Sequence, residues 1–285
     1  RRSISSAGSR APGHPMRAGA PSSVRHEATM ARLQWRLSRR RPARELVVPI
    51  TGSSRHFVAH APESPEAVLN DTAREYARRP PTGAWFMPYW ATPWASGIAA
   101  AEAIVADPAP FGGRRVLELG CGLGITAMAL ASVGARLVLV DVWPEALAFA
   151  RFNALRHGGP GTQVRPLLAD WRTAAGTALL LRSGPYDAVV AADVLYEADD
   201  VRPLFDLLPR LVRSGGVAWL AEPGRTTSGL FVEAAADAGW QSEVTTLTRD
   251  PWPVDAGRAT VRVHRYSSMP VPADGDADES ERVRA

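Results

Sequence analysis

One stretch of this chain has the spacing of a ligand-binding turn. Glu118-Leu-Gly120-Cys-Gly122-Leu-Gly124 sets a carboxylate two residues ahead of three alternating glycines. Glycines let the backbone approach a ligand where a Cβ would clash. A dinucleotide turn reads Gly-x-Gly-x-x-Gly, which differs in its third glycine. An acid at this point repels a pyrophosphate and attracts an ammonium group. Further along, Asp141, Asp170-Trp171 and Asp193-Val-Leu-Tyr196 each follow a short apolar run. An acid about 20 residues after a glycine turn accepts ribose hydroxyls. Asp170 could accept the adenine amino group and Trp171 could stack on the ring, against the plainer roles of loop acid and core aromatic.

These residues need a scaffold. The apolar runs 116–119, 137–140, 163–166, 188–191 and 217–221 predict strands. Helical stretches at 125–132, 144–156 and 201–212 separate several of them. Such alternation argues for an α/β fold, a Rossmann-like, doubly wound, mostly parallel sheet with helices on both faces. A helix at 230–238 and β-rich segments at 243–246 and 260–266 complete it as a seven-stranded sheet closed by an antiparallel C-terminal strand. Four carboxylates at the carboxyl ends of consecutive strands then share one crevice, where doubly wound sheets bind ligands. The ligand predicted is a cationic, phosphate-free nucleoside. S-adenosylmethionine has those properties, and it is the expected cofactor.

Charge is uneven. Eleven arginines against two acids occupy residues 1–45, while the whole chain carries only +4, so the remainder is net acidic. That argues against a nucleic-acid channel across the folded body. All 33 basic residues are arginine, so the protein has no lysine of its own to modify. A single cysteine, Cys121, rules out an internal disulfide and leaves no zinc cluster. It reads as a small filler of the glycine turn. No metal and no membrane association is expected, and a reducing cytoplasm is the expected location. The scattered histidines receive no role.

The composition predicts four segments. Residues 1–44 read as a basic disordered stretch, either an overextended frame with Met16 or Met30 as the start or a transit-type leader. Residues 45–114 read as an N-terminal cap, with a hairpin at 45–60, a helix at 66–78 ended by Pro80-Pro81, and a helix at 98–106. Residues 115–268 are the core and 269–285 an acidic disordered tail. Within the cap, Trp85, Trp90 and Trp94 fall in ten residues. They suit a hydrophobic plug, an aromatic ligand wall, or both.

From Trp85 to Tyr266 the sequence resembles class I, seven-β-strand S-adenosylmethionine-dependent methyltransferases. Asp193-Val-Leu-Tyr196 is similar to the Asp-x-x-Tyr motif of the protein-lysine members. Pro88-Tyr-Trp-Ala-Thr-Pro-Trp-Ala-Ser-Gly97 and Glu222-Pro-Gly-Arg225 resemble segments of the electron transfer flavoprotein β-subunit lysine methyltransferases. Ala95-Ser96 and Glu222 depart from that pattern. The resemblance implies that Glu118, Gly120, Gly122 and Gly124 line the methionine part of the cofactor. It implies that Asp141 holds the ribose and Trp171 the adenine, with Trp94 packed near the cofactor and Ala192 presenting backbone to it. Asp193 and Tyr196 face the acceptor, against the plainer roles of helix cap and packing residue. Arg225 pairs with an acid of the substrate or of the protein. The implied partner is a protein substrate such as an electron transfer flavoprotein β-subunit. The competing functions are a small-molecule N- or O-methyltransferase, a nicotinamide-dependent oxidoreductase, and an inert binding module.

Overall fold

The computed structural model describes residues 22–51, 57–78, 87–249 and 259–270. Trp85, Pro80-Pro81, the first 21 residues and most of the acidic tail lie outside these. In chain order the elements are α1 (Ser22–Arg40), β1 (Ala43–Val48), β2 (Phe57–Pro62), α2 (Pro65–Arg78), a 3-10 turn (Tyr89–Ala91) and α3 (Ala95–Ala106). The core follows as β3 (Arg115–Leu119), α4 (Ile125–Ser132), β4 (Arg136–Asp141), α5 (Pro144–Gly158), β5 (Val164–Leu168) and α6 (Ala174–Ser183). It ends with β6 (Tyr186–Ala192), α7 (Ala198–Leu211), β7 (Val212–Glu222), α8 (Thr226–Asp237), β8 (Gln241–Arg249) and β9 (Ala259–Ser268).

The seven-stranded sheet has the order β5-β4-β3-β6-β7-β9-β8. Strands β3 to β7 are parallel, and β9 runs antiparallel between β7 and β8. The expected α/β class and its antiparallel closure are therefore present. The chain leaves β3 outward through β4 and β5, then crosses back to lay β6 on the other side of β3. That reversal opens a crevice between β3 and β6, at the carboxyl ends of the strands.

Period-2 alternation divides the interior into two layers. Val116, Leu137, Leu139, Ala188 and Val190 face one core with α3, α4 and α5. Leu117, Leu119, Val138, Val140, Val189 and Ala191 face the other with α7 and α8. Leu37, Val48, Phe57 and Ala59 of the N-terminal elements belong to the first of these cores, so cap and sheet share one interior.

Two elements correct the sequence reading. The basic segment expected to be disordered forms α1 from Ser22, with Leu37 only 1% exposed. Met30 and Leu33 pack beside it, giving an apolar stripe one helical turn apart among the arginines. Arg41 then fastens the helix end, reaching Asp71 at 2.8 Å and Glu145 at 2.9 Å. Helix α6 was not anticipated at all. Its N-cap is Thr173, whose hydroxyl accepts the Gly176 N–H at 3.0 Å. The antiparallel pair β1–β2 matches the expected hairpin.

Candidate cofactor and acceptor site

A single pocket at the β3/β6 crevice is lined by Glu118, Gly120, Gly122, Asp141, Asp170, Trp171, Ala192, Asp193, Tyr196 and Trp94. Every residue assigned to the cofactor or the acceptor from the sequence lines this pocket except Gly124. Gly124 stands behind the wall as the N-cap of α4, with φ +77°. A Cβ there would lie 2.6 Å from the Ala150 Cα, so its function is close packing of α4 on α5 rather than ligand contact.

The glycine turn leaves β3 and enters α4. Gly120 has φ +64°, and a Cβ on it would come within 2.7 Å of Val194. Gly122 has φ +50°, and its N–H donates to the Asp141 Oδ2 at 3.0 Å. Glu118 is 3% exposed. Its carboxyl accepts a hydrogen bond from the Ala127 N–H in the first turn of α4. Its Oε2 is buried without a partner. Burial, then the charge of Asp141, pushes its pKa well above the usual carboxylate range. A buried acceptor of this kind is completed by a donor that carries positive charge.

Asp141 caps β4. Burial pushes its pKa up to about 6, against opposing hydrogen bonds from the backbone of Trp143, Gly122 and Val142. Oδ1 accepts from the Trp143 N–H at 2.9 Å and Oδ2 from the Gly122 N–H at 3.0 Å, with the Val142 N–H as a third donor. A carboxylate oxygen has a second lone pair free for a hydroxyl. The Asp170-Trp171 loop rests on α6. The Thr177 hydroxyl donates to the Trp171 carbonyl at 2.8 Å, and the Thr173 N–H to the Asp170 carbonyl at 3.1 Å. Asp170 Oδ1 accepts from the Arg172 backbone and side chain at 2.9 and 3.3 Å. The indole Nε1 of Trp171 is buried and has no partner.

At the other end stands an aromatic mouth. Tyr89 meets Trp94 edge-on at 6.0 Å and Tyr196 edge-on at 6.0 Å. Trp90 points inward onto Phe149 at 5.6 Å, so the tryptophan-rich segment supplies both plug and wall. Asp193 has φ +57°, the one non-glycine residue with positive φ among those described. Such a backbone is uncommon outside glycine and marks a side chain held for a purpose. Asp193 does not cap α7, because Glu197 and Asp200 form a capping box there. It pairs instead with Arg225, at 2.8 and 3.2 Å. The side chain of Asp193 is 7% exposed and that of Arg225 39%. Arg225 also lies over the Trp94 ring at 6.0 Å. Of the two partners open to Arg225 from the sequence, the structure chooses the protein's own carboxylate.

The turn that carries Arg225 is fixed by Glu222, which accepts from Gly224 N–H at 2.5 Å, Ser228 at 2.8 Å and Arg262 at 3.1 Å. Tyr196 is pushed to a higher pKa by burial and then by Asp200, so its hydroxyl stays protonated and can donate. The sequence reading missed Trp143 and Met87 at the pocket wall. Trp143 directly follows the acid at the end of β4, a position that could have flagged it. Among the described residues no group of three His, Cys, Asp or Glu could hold a metal ion.

The residues present fit S-adenosylmethionine. Glu118 offers the ammonium a buried acceptor oxygen, Oε2, that has no partner, Asp141 a remaining lone pair for a ribose hydroxyl, and Trp171 a ring at the far end. Residues 117–220 match the family model described as a methyltransferase domain. With the sheet order and the glycine turn, the chain carries a class I S-adenosylmethionine-dependent methyltransferase domain. It is 34% identical over 136 residues to a ubiquinone biosynthesis O-methyltransferase of Methylocella silvestris, covering 47% of this chain and 50% of that one. It is 34% identical over 140 residues to an electron transfer flavoprotein β-subunit lysine methyltransferase of Xenopus laevis, covering 48% and 53%. The chain thus spans about half the length of the curated relatives it matches. A magnesium protoporphyrin IX methyltransferase from Synechocystis PCC 6803, solved with bound S-adenosylmethionine, aligns over 71% of this chain and 94% of that one, at 18% identity and a TM-score of 0.49.

Proposed function

We propose that the protein transfers a methyl group from S-adenosylmethionine to the side-chain amine of a lysine on a protein substrate. The observation that carries this reading is the mouth of the pocket. A carboxylate in a constrained backbone, Asp193, is ringed by Tyr89, Trp94 and Tyr196. Aromatic faces and a carboxylate together suit a cation. Likeness to the Xenopus laevis lysine methyltransferase supports the choice.

The donor supplies a methyl already activated by a positive sulfur, so the protein's main task is alignment. Asp193 draws the acceptor ammonium in, taking the place in the ion pair that Arg225 holds beforehand. Burial among the rings favours the neutral amine. As the proton leaves to solvent, Asp193 accepts a remaining N–H and aims the lone pair. The Tyr196 hydroxyl remains available as a donor at the rim. Glu118 and Asp141 hold the other end of the cleft through hydrogen bonds.

A small-molecule O-methylation is the second reading, favoured by the likeness to the Methylocella silvestris enzyme. Incubating the protein with radiolabelled S-adenosylmethionine and a bacterial lysate separates the two. Label on lysine in the protein fraction is expected. Label confined to small molecules would overturn the lysine assignment.

A further inference from the structure

A second groove lies between α1, α5 and the end of β5, and it shares no lining residue with the cofactor pocket. Its floor is aliphatic, built from Leu33, Leu37, Leu147 and Leu168. Three arginines stand along it: Arg36, Arg40 and Arg151. Arg36 and Arg40 are one turn apart on the exposed side of α1. Two acids of neighbouring elements, Asp71 and Glu145, are already engaged by Arg41. The Nε of Arg151 is buried without a hydrogen-bond partner among the described residues. Leu168 is left 52% exposed. The groove therefore presents positive charge beside Leu168, the exposed part of an apolar floor in which Leu37 and Leu147 are buried.

Its position is informative. Pro144, on the groove, directly follows Trp143, on the pocket wall. Leu168, on the groove, ends the strand that leads into Asp170-Trp171. A chain seated here would run past the adenine end of the cofactor pocket.

We propose that this groove docks an acidic, leucine-bearing segment of the protein substrate, with its carboxylates on Arg36, Arg40 and Arg151. The proposal rests on the reading of the enzyme as a protein methyltransferase. Arginine forks match carboxylates, and an amphipathic helix lays its apolar face in such a groove. A nucleic acid is disfavoured by the lining, which offers no aromatic ring for a base to stack on.

The test uses the full chain without methyl donor and a fluorescent four-turn peptide of Glu and Leu, leucines at helical spacing, read by anisotropy. The Glu/Leu peptide should bind and a Lys/Leu peptide of the same pattern should not. The exposed double variant Arg36→Ala/Arg40→Ala should weaken binding at least about tenfold, as should Leu168→Ser. Calorimetric affinity of both variants for S-adenosylmethionine should stay unchanged. Equal binding by the double variant, or tighter binding of a single-stranded oligonucleotide than of the peptide, would overturn the proposal. So would a chain ending at Met269 that binds the peptide tenfold tighter, because the protein's own acidic end would then be the occupant. Failure of the chain to bind S-adenosylmethionine would remove the methyltransferase reading instead, leaving the peptide result to stand or fall separately.

Discussion

Asp141 and Glu118 are two buried carboxylates whose ionisation the ligand must share. Asp141 has its pKa pushed up to about 6 by burial. Without ligand, its raised pKa means that stability is unaffected below about 4, declines as pH rises to about 6 and is level above. Ligand hydroxyls and an ammonium group favour the charged forms, so the sign reverses on binding. S-adenosylmethionine affinity should rise as pH rises through about 6, with protons released on binding. Calorimetry in two buffers of different ionisation heat measures this, and proton uptake would contradict it. Asp193 gives a second prediction at this scale. Asn tolerates the φ of +57° that Asp193 adopts, so Asp193→Asn should keep its melting temperature and its cofactor affinity. Turnover on a lysine substrate should fall by about 100-fold, the range of a misaligned acceptor. Unchanged turnover would remove Asp193 from the chemistry. Asp141 and Asp193 were legible in the sequence because each follows an apolar run, and Glu118 because it stands two residues ahead of the alternating glycines. The bond from Asp193 to Arg225 was not, since it joins residues on two loops that only the parallel pairing of β6 with β7 brings together.

The helices that hold these side chains were readable to different degrees. Helix α4 spans the residues expected, because a glycine turn and an unbroken apolar stretch mark both its ends. Helix α6 escaped notice because Leu179, Leu180 and Leu181 are consecutive and give no helical period. Helix α1 was hidden by its composition: polar and basic residues surround a narrow packing stripe of Met30, Leu33 and Leu37. The missed α6 supports the Asp170-Trp171 loop of the pocket. A Cβ at Gly176 would fall 1.9 Å from the Asp170 carbonyl oxygen. Gly176→Ala must therefore push α6 off the Asp170-Trp171 loop, at a cost of about 3 kcal/mol by analogy with overpacked cores. Thermal unfolding should show the loss, and S-adenosylmethionine affinity should fall with it. A wild-type melting temperature would show that the loop and α6 can separate freely.

Across the whole molecule, two polar posts tie distant elements together. Glu222 is one. Burial raises its pKa, but hydrogen bonds from His264, Ser228, Gly224 and Arg262 outweigh that and bring it down to about 2. A carboxylate with a depressed folded pKa contributes stability that is full above about 4.5 and is lost as pH falls toward about 2. Acid titration of the unfolding free energy should show that decline, and Glu222→Gln should flatten it. A curve that Glu222→Gln leaves unchanged would assign the acid sensitivity to other groups. Asn153 is the other post. Fully buried on α5, it accepts the His60 N–H at 2.7 Å and donates to the carbonyls of His60 at 3.0 Å and Leu123 at 2.8 Å. His60 belongs to β2 and Leu123 to the glycine turn, so one side chain clamps hairpin and turn together. A fragment starting at residue 115 would keep all seven strands of the sheet yet lose two of these three Asn153 hydrogen bonds beneath the turn. Trimming the protein to its evolutionary minimum would thus loosen the cofactor's floor from below, and the N-terminal hairpin acts less as a removable lid than as a keystone.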